Sequence, residues 1–156
     1  MVYVLDTSSL IVLGHYFPNQ FRSFWKNLNA LADVSRLISV SEVWKELDNH
    51  NTRRHLTDWL AARRGLFSPP STAEMIFVSQ IFAVSNFQSL VRKKNILEGS
   101  PVADPWVIAS AAVRDGCVVT EEMERPNTVR IPTVCRHFNV ECTTLEGLMS
   151  REGWEY

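Results

Sequence analysis

No stretch of the chain approaches the roughly 20 consecutive apolar residues that a transmembrane helix needs, so a membrane partner is not expected. The first residues carry no basic n-region and Asp6 interrupts any apolar h-region, so a secretory signal is not expected either. Charge of one sign is also missing. A formal net charge of −1 gives no overall attraction to a polyanion, and a nucleic-acid partner would need a local basic patch. The three cysteines, at 117, 135 and 142, are too few and odd in number for a disulfide framework, and suit reduced thiols in the cytoplasm. The compact C-x₂₋₄-C pairing of a structural zinc site is absent, so Cys117, Cys135, Cys142 and His137 read as buried thiols and a neighbour rather than ligands. Repeats, low-complexity tracts and linkers are absent as well. With 156 residues, 46% hydrophobic and 21% charged, a single globular domain spanning residues 1–156 is expected.

What is present is an alternation. Residues 2–5 have the β-branched, aromatic and aliphatic side chains of a central parallel strand. Between residues 18 and 33, Phe21, Phe24, Trp25, Leu28, Leu31 and Ala32 follow helical spacing. A short strand at 37–39 turns into a helix carrying Val43, Trp44 and Leu47, which resumes through Leu56, Trp59 and Leu60. Ser71 or Thr72 caps a further helix with Met75, Ile76, Ile81 and Phe82. "ADPWVIASAAVRDG" enters another helix, "CVVT" is a buried strand, and a last strand near 140–142 precedes a terminal helix. Strands alternating with helices predict an α/β fold with a central, mainly parallel sheet between two helical layers.

Three strands, or the turns after them, are followed closely by an acid. Each acid has an ordinary explanation. Asp6 suits an N-cap before "TSSLIVL". Asp104, ahead of Pro105, suits another. Glu42 completes a Ser-x-x-Glu capping box with Ser39. Glu121, Glu122 and Glu124 suit a solvated loop or a helix start. Glu46, one turn beyond Glu42 on the same face, has no capping role, and like charges at that spacing repel; a solvated helix face is its ordinary reading, set evenly against a shared cation. Together, acids at the carboxyl ends of neighbouring strands converge on one crevice. Such a cluster is stable when a hard cation such as Mg²⁺ or Mn²⁺ shares it.

The order "YVLDTSSLI", "ISVSEVWKEL", "ADPWVIASAAV", "VVTEE" resembles the PIN-domain nucleases, in particular an uncharacterised prokaryotic PIN-like group related to VapC toxins. "IPTVCRHFNVECTTLEGLM" extends the likeness over nearly the whole chain. The resemblance implies a three-layer α/β/α PIN-like fold and a Mg²⁺- or Mn²⁺-dependent ribonuclease hydrolysing RNA phosphodiester bonds. It puts the metal-binding and catalytic acids on Asp6, Glu46, Asp104 and Glu122, with Ser8 as a polar neighbour and Glu42 as the alternative to Glu46. The last acid departs from the commoner aspartate. The resemblance further implies an antitoxin partner, a homodimer and a cytoplasmic location, with Trp25, Trp44 and Trp59 as candidates for those contacts.

The basic residues are grouped in "TRRHLTDWLAARR" and "LVRKKN". Arg53 and Arg64 are 11 apart, so a continuous helix would put them on one face. Arg53, Arg54, Arg63, Arg64, Lys93 and Lys94 are therefore the candidates for phosphate contact, against the commoner fate of a solvated surface. His50 and His55 read as surface residues. The competing function is a non-catalytic PIN-like module that binds RNA or protein, which would tolerate loss of the acids' charge. A phosphatase using Asp6 as nucleophile commonly has a second acid two residues later, where Ser8 stands.

Overall fold

Tyr3, Val4 and Leu5 are at most 1% exposed, as a strand covered on both faces requires. They form β1 (Tyr3–Leu5), the middle strand of the computed structural model, which describes residues 1–48, 50, 52–90 and 102–156. α1 (Thr7–Leu13) and α2 (Arg22–Asp33) follow, then β2 (Leu37–Val40), α3 (Ser41–Asp48) and α4 (Arg54–Ala62). A 3₁₀ turn leads into the two-residue β3 (Phe67–Ser68), α5 (Thr72–Ala83) and a 3₁₀ segment (Ser85–Leu90). The remainder comprises α6 (Asp104–Val113), β4 (Cys117–Val119), α7 (Ile131–His137), β5 (Glu141–Thr143) and α8 (Leu145–Arg151).

The sheet order is β3-β2-β1-β4-β5, and every pairing is parallel. The chain builds outward from β1 through β2 to β3, then returns to the other side of β1 for β4 and β5. That reversal makes the carboxyl ends of β1 and β4 the topological switch point, where open α/β sheets bind ligands. Helices cover both faces, giving the expected three layers. α6 lies against β1, β2 and β4, and α5 packs on α6. α2, with Phe24, Trp25, Leu28, Leu31 and Ala32 buried, lies against β2. The buried apolar side chains form one cluster, each large one contributing about 1.5–3 kcal/mol on leaving water. No helix among the described residues is long and apolar enough to cross a membrane.

Several local expectations are corrected. Ser39 lies inside β2 and its hydroxyl donates to Leu5 O at 2.7 Å, so the capping box with Glu42 does not form. Glu42 pairs instead with Lys45 at 2.8 Å. Asp104 is the first residue of α6 and Ala103 occupies the cap position, with Ala103 O already accepting from Trp106 and Val107. Ser71 does cap α5, in a reciprocal box with Glu74. On that helix Met75 and Ile76 face solvent while Glu74 is buried. Its carboxylate meets Arg114 at 2.7 Å.

Candidate functional site

Asp6 is the residue at which β1 gives way to α1. Its extended backbone (φ −87°, ψ 178°) ends the strand, and its side chain caps the helix. Oδ1 accepts from the Ser9 N–H at 2.7 Å, and the Ser8 hydroxyl lies 2.9 and 2.8 Å from the two carboxylate oxygens. The Thr120 hydroxyl, at the end of β4, donates to Oδ2, so a bond closes the switch point between the two strands. Asp6 is only 3% exposed. Burial pushes its pKa up, and the opposing hydrogen bonds from Thr120, Ser9 and Ser8 do not cancel the effect.

Glu46 reaches the same place from the second turn of α3. Its Oε2 accepts the Thr7 hydroxyl and its Oε1 accepts the Ala103 N–H at 2.9 Å, tying α3 to α1 and to the start of α6. Burial raises its pKa, and the negative charge of Asp6 raises it further against the pull of those two donors. The charge of Asp6 thus reaches Glu46, as it does when two carboxylates converge on one place.

Asp104 and Glu122 line a narrow cleft of about 70 Å³ together with Ser89, Leu90 and Arg130. Glu122 Oε2 accepts the Ile131 N–H at 3.0 Å, and its own N–H donates to Thr120 Oγ1 at 3.1 Å. Ser8, the predicted polar neighbour, accepts from the Glu121 N–H at 3.0 Å while it holds Asp6. Asp6 and Glu46 thus sit together, Asp104 follows directly on Glu46's partner Ala103, and Glu122 follows on Asp6's partner Thr120. Glu42 stands apart, on Lys45.

Among the described residues, no three His, Cys, Asp or Glu side chains close into a ready metal cage. In kind the donor set fits a hard divalent cation, being all carboxylate and hydroxyl oxygen. A cation would also relieve the repulsion that raises Glu46. Gathering three acids on one ion requires side chains to leave their present hydrogen bonds.

The continuous helix expected to carry Arg53 and Arg64 on one face does not form. α4 stops short of both ends of the expected helix, leaving Arg53 as its cap residue and Arg64 in the following 3₁₀ turn. Arg53 lies 5.2 Å over the ring of Phe17 and Arg64 3.9 Å over that of Trp44. Arg63 is tied to Asp33 and Asn29, and Arg54 lies 3.9 Å from Asp58. Lys93 and Lys94 lie outside the described residues. Trp25 is buried with its indole N–H on Tyr16 O, and the half-buried Trp59 donates to Asn29. His50 is exposed as expected, while His55 is wedged between Phe17 and Trp25 with a buried, unpartnered Nε2.

Sequence reasoning did not assign roles to Thr7, Ala103, Thr120 and Arg130. Thr120 carried a signal, as a hydroxyl residue closing an apolar strand beside acids. Ala103, which acts through its backbone, carried none.

No curated protein matches the chain. The match of a family model to residues 3–156 shows that the chain belongs to the DUF4411 family, a domain of unknown function.

Proposed function

We propose that the protein is a metal-dependent endoribonuclease of the PIN-like type, hydrolysing RNA phosphodiester bonds with Mg²⁺ or Mn²⁺ held by Asp6, Glu46, Asp104 and Glu122. One observation carries this reading. Asp6 and Glu46, brought from separate elements to the switch point, both have anionic forms disfavoured by burial, and Asp6's charge disfavours Glu46's further. Pairs of that kind concentrate at functional sites. Asp104 and Glu122 extend the oxygen surface into the adjoining cleft. A bound divalent cation supplies the positive charge that activates water and steadies the phosphoryl oxygens. The chain's own residues fix the acids: Thr120, Ser8 and Ser9 orient Asp6, Thr7 and Ala103 orient Glu46, and Ile131 orients Glu122. The resemblance alone supports the further roles, a cytoplasmic toxin held by an antitoxin and a homodimer.

A second reading has its own observation. Every hydrogen bond described for Asp6, Glu46 and Glu122 is also structural, as expected of a non-catalytic PIN-like binding module. Cleavage of single-stranded and structured RNA by wild type, Asp6→Asn and Asp104→Asn, with Mn²⁺, Mg²⁺ or EDTA, separates the two. The nuclease reading expects metal-dependent cutting that both substitutions abolish with no loss of melting temperature. Cutting by both variants equal to wild type overturns it. RNA binding without cutting, indifferent to both substitutions, favours the module.

A further inference from the structure

Arg130 contrasts with four other arginines around the sheet. Arg36 binds Glu152, Arg114 binds Glu74, Arg136 binds Glu124 and Arg151 binds Glu141. Arg130 lines the cleft of Asp104 and Glu122 yet forms no salt bridge with a described residue, and its Nε is buried without a hydrogen-bond partner. A buried donor on a charged group without an acceptor is costly, and such a group calls for an explanation. Glu122 does not satisfy it, because Oε2 is turned to the Ile131 N–H. The rigid fork of a guanidinium matches the oxygens of a phosphate.

The cleft is not isolated. Through Ser89, Thr128 and Val129 it adjoins an open groove of about 980 Å³ between the 3₁₀ segment at 85–90 and residues 124–136. Arg125 and Arg136 stand on one wall and Asn86 on the other. The α4 arginines lie on the β3 side of the sheet order, and their described contacts are within the chain. Among the described residues this groove leads up to the cleft of Asp104 and Glu122, with Arg125 along it and Arg136 held by Glu124 on the same wall.

We propose that Arg130 grips the phosphate beside the carboxylate site, and that a single RNA strand reaches it along the groove between residues 85–90 and 124–136. The proposal rests on the nuclease reading for its strand, but the phosphate contact is measurable without catalysis. Arg130 is a binding and positioning residue here. Arg130 lines the same cleft as Asp104 and Glu122, so a phosphate held by Arg130 lies beside the two acids.

The test uses the full chain. In ¹⁵N-labelled protein the Arg130 Nε–Hε resonance, assigned by its loss in Arg130→Lys, is followed during titration with uridine 5′-monophosphate and Mg²⁺. A shift of that resonance that saturates supports the proposal. No movement at saturating nucleotide overturns it, whether or not the substituted proteins fold. In parallel, Arg130→Gln and the exposed control Arg22→Gln are compared for affinity towards 2′-O-methyl single-stranded RNA across salt concentrations. Arg130→Gln should weaken binding about tenfold, and lose about 0.7 from the salt slope, the value for one phosphate contact on a single strand. Arg22→Gln should do neither. RNA cleaved by wild type with KM unchanged in Arg130→Gln and an unmoved resonance overturns this proposal and leaves the nuclease reading standing. A shifted resonance without any cleavage does the reverse.

Discussion

Replacing Asp6 separates the structural role of its carboxylate from the cost of its charge. Asp6→Ala removes an N-cap, worth about 1 kcal/mol. It also leaves the buried Thr120 hydroxyl without its acceptor, worth about 1–3 kcal/mol. The expected loss is about 3 kcal/mol, or roughly 6–12 °C in melting temperature for a chain of this length. Asp6→Asn keeps the cap. Its amide meets two hydroxyls that can rotate to accept, so those bonds survive.

The charge acts in the opposite direction. Burial raises Asp6's folded pKa above its unfolded value, so the protonated form stabilises the fold. That contribution is complete below the unfolded pKa and is lost as pH rises through the folded one. Asparagine imitates the protonated form at every pH. Wild type and Asp6→Asn should therefore melt together in acid, and the variant should gain on wild type as pH climbs towards neutrality, in EDTA throughout. Circular dichroism melts from about pH 4 to about pH 8 read this directly. If Asp6→Asn falls as far as Asp6→Ala at neutral pH, the donors from Ser8, Ser9 and Thr120 stabilise the anion more than burial disfavours it, and the reasoning fails.

Three further outcomes follow from other contacts. In Glu152, burial pushes the pKa up, but hydrogen bonds from Arg36 and Tyr3 outweigh it and hold the carboxyl below its usual range. Its stabilisation is thus present above the unfolded pKa and lost as pH falls through the folded one. Glu152→Gln should cost about 1 kcal/mol at neutral pH, since Arg36 is partly exposed, and nothing in strong acid, by urea denaturation at each pH. Arg114→Ala strands the Glu74 carboxylate, 2% exposed, without its cation. It should cost about 2–3 kcal/mol, below the full range for a buried pair because water reaches Arg114, while Arg114→Met with Glu74→Met should recover most of it. A Cβ on Gly116 would stand 2.7 Å from Val2 O, so Gly116→Ala should lose about 1–3 kcal/mol in the same assay.

The sequence made the architecture legible where composition and period agree. Tyr3–Leu5 and Cys117–Val119 are short apolar runs bounded by turn or acid residues, and both are central strands. β3 was hidden, because two residues carry no period. α5 is apolar on nearly all sides, so its pattern could not say that Glu74 points inward and Met75 outward. The acids at the strand ends were readable as a set, and Asp6 as a cap. Their partners were not, because the Ala103 N–H and the Thr120 hydroxyl reach Glu46 and Asp6 only after 57 and 114 residues of chain have folded. Ser39 shows the converse error. A Ser-x-x-Glu pattern is local, but the adjacent parallel strand β1 offered its hydroxyl a carbonyl first.

Asp6 and Glu46 share a division of labour between their two oxygens. In each, one oxygen rests on a backbone N–H, Ser9 for Asp6 and Ala103 for Glu46. The other rests on a threonine hydroxyl, Thr120 for Asp6 and Thr7 for Glu46, with the Ser8 hydroxyl spanning both oxygens of Asp6. A backbone N–H is fixed by its helix, whereas a hydroxyl can turn away. One oxygen therefore anchors the carboxylate, and the other can be given up to a cation without disturbing the cap. On the proposed metal-dependent reading, the Thr7 hydroxyl competes with a cation for Glu46. Thr7→Val should bind Mn²⁺ at least as tightly as wild type, while Glu46→Gln should weaken binding by tenfold or more, or about 1.4 kcal/mol. Titration of free Mn²⁺ by its paramagnetic resonance signal measures both. Thr7→Val losing as much affinity as Glu46→Gln would make the hydroxyl a positioning group or a ligand in its own right.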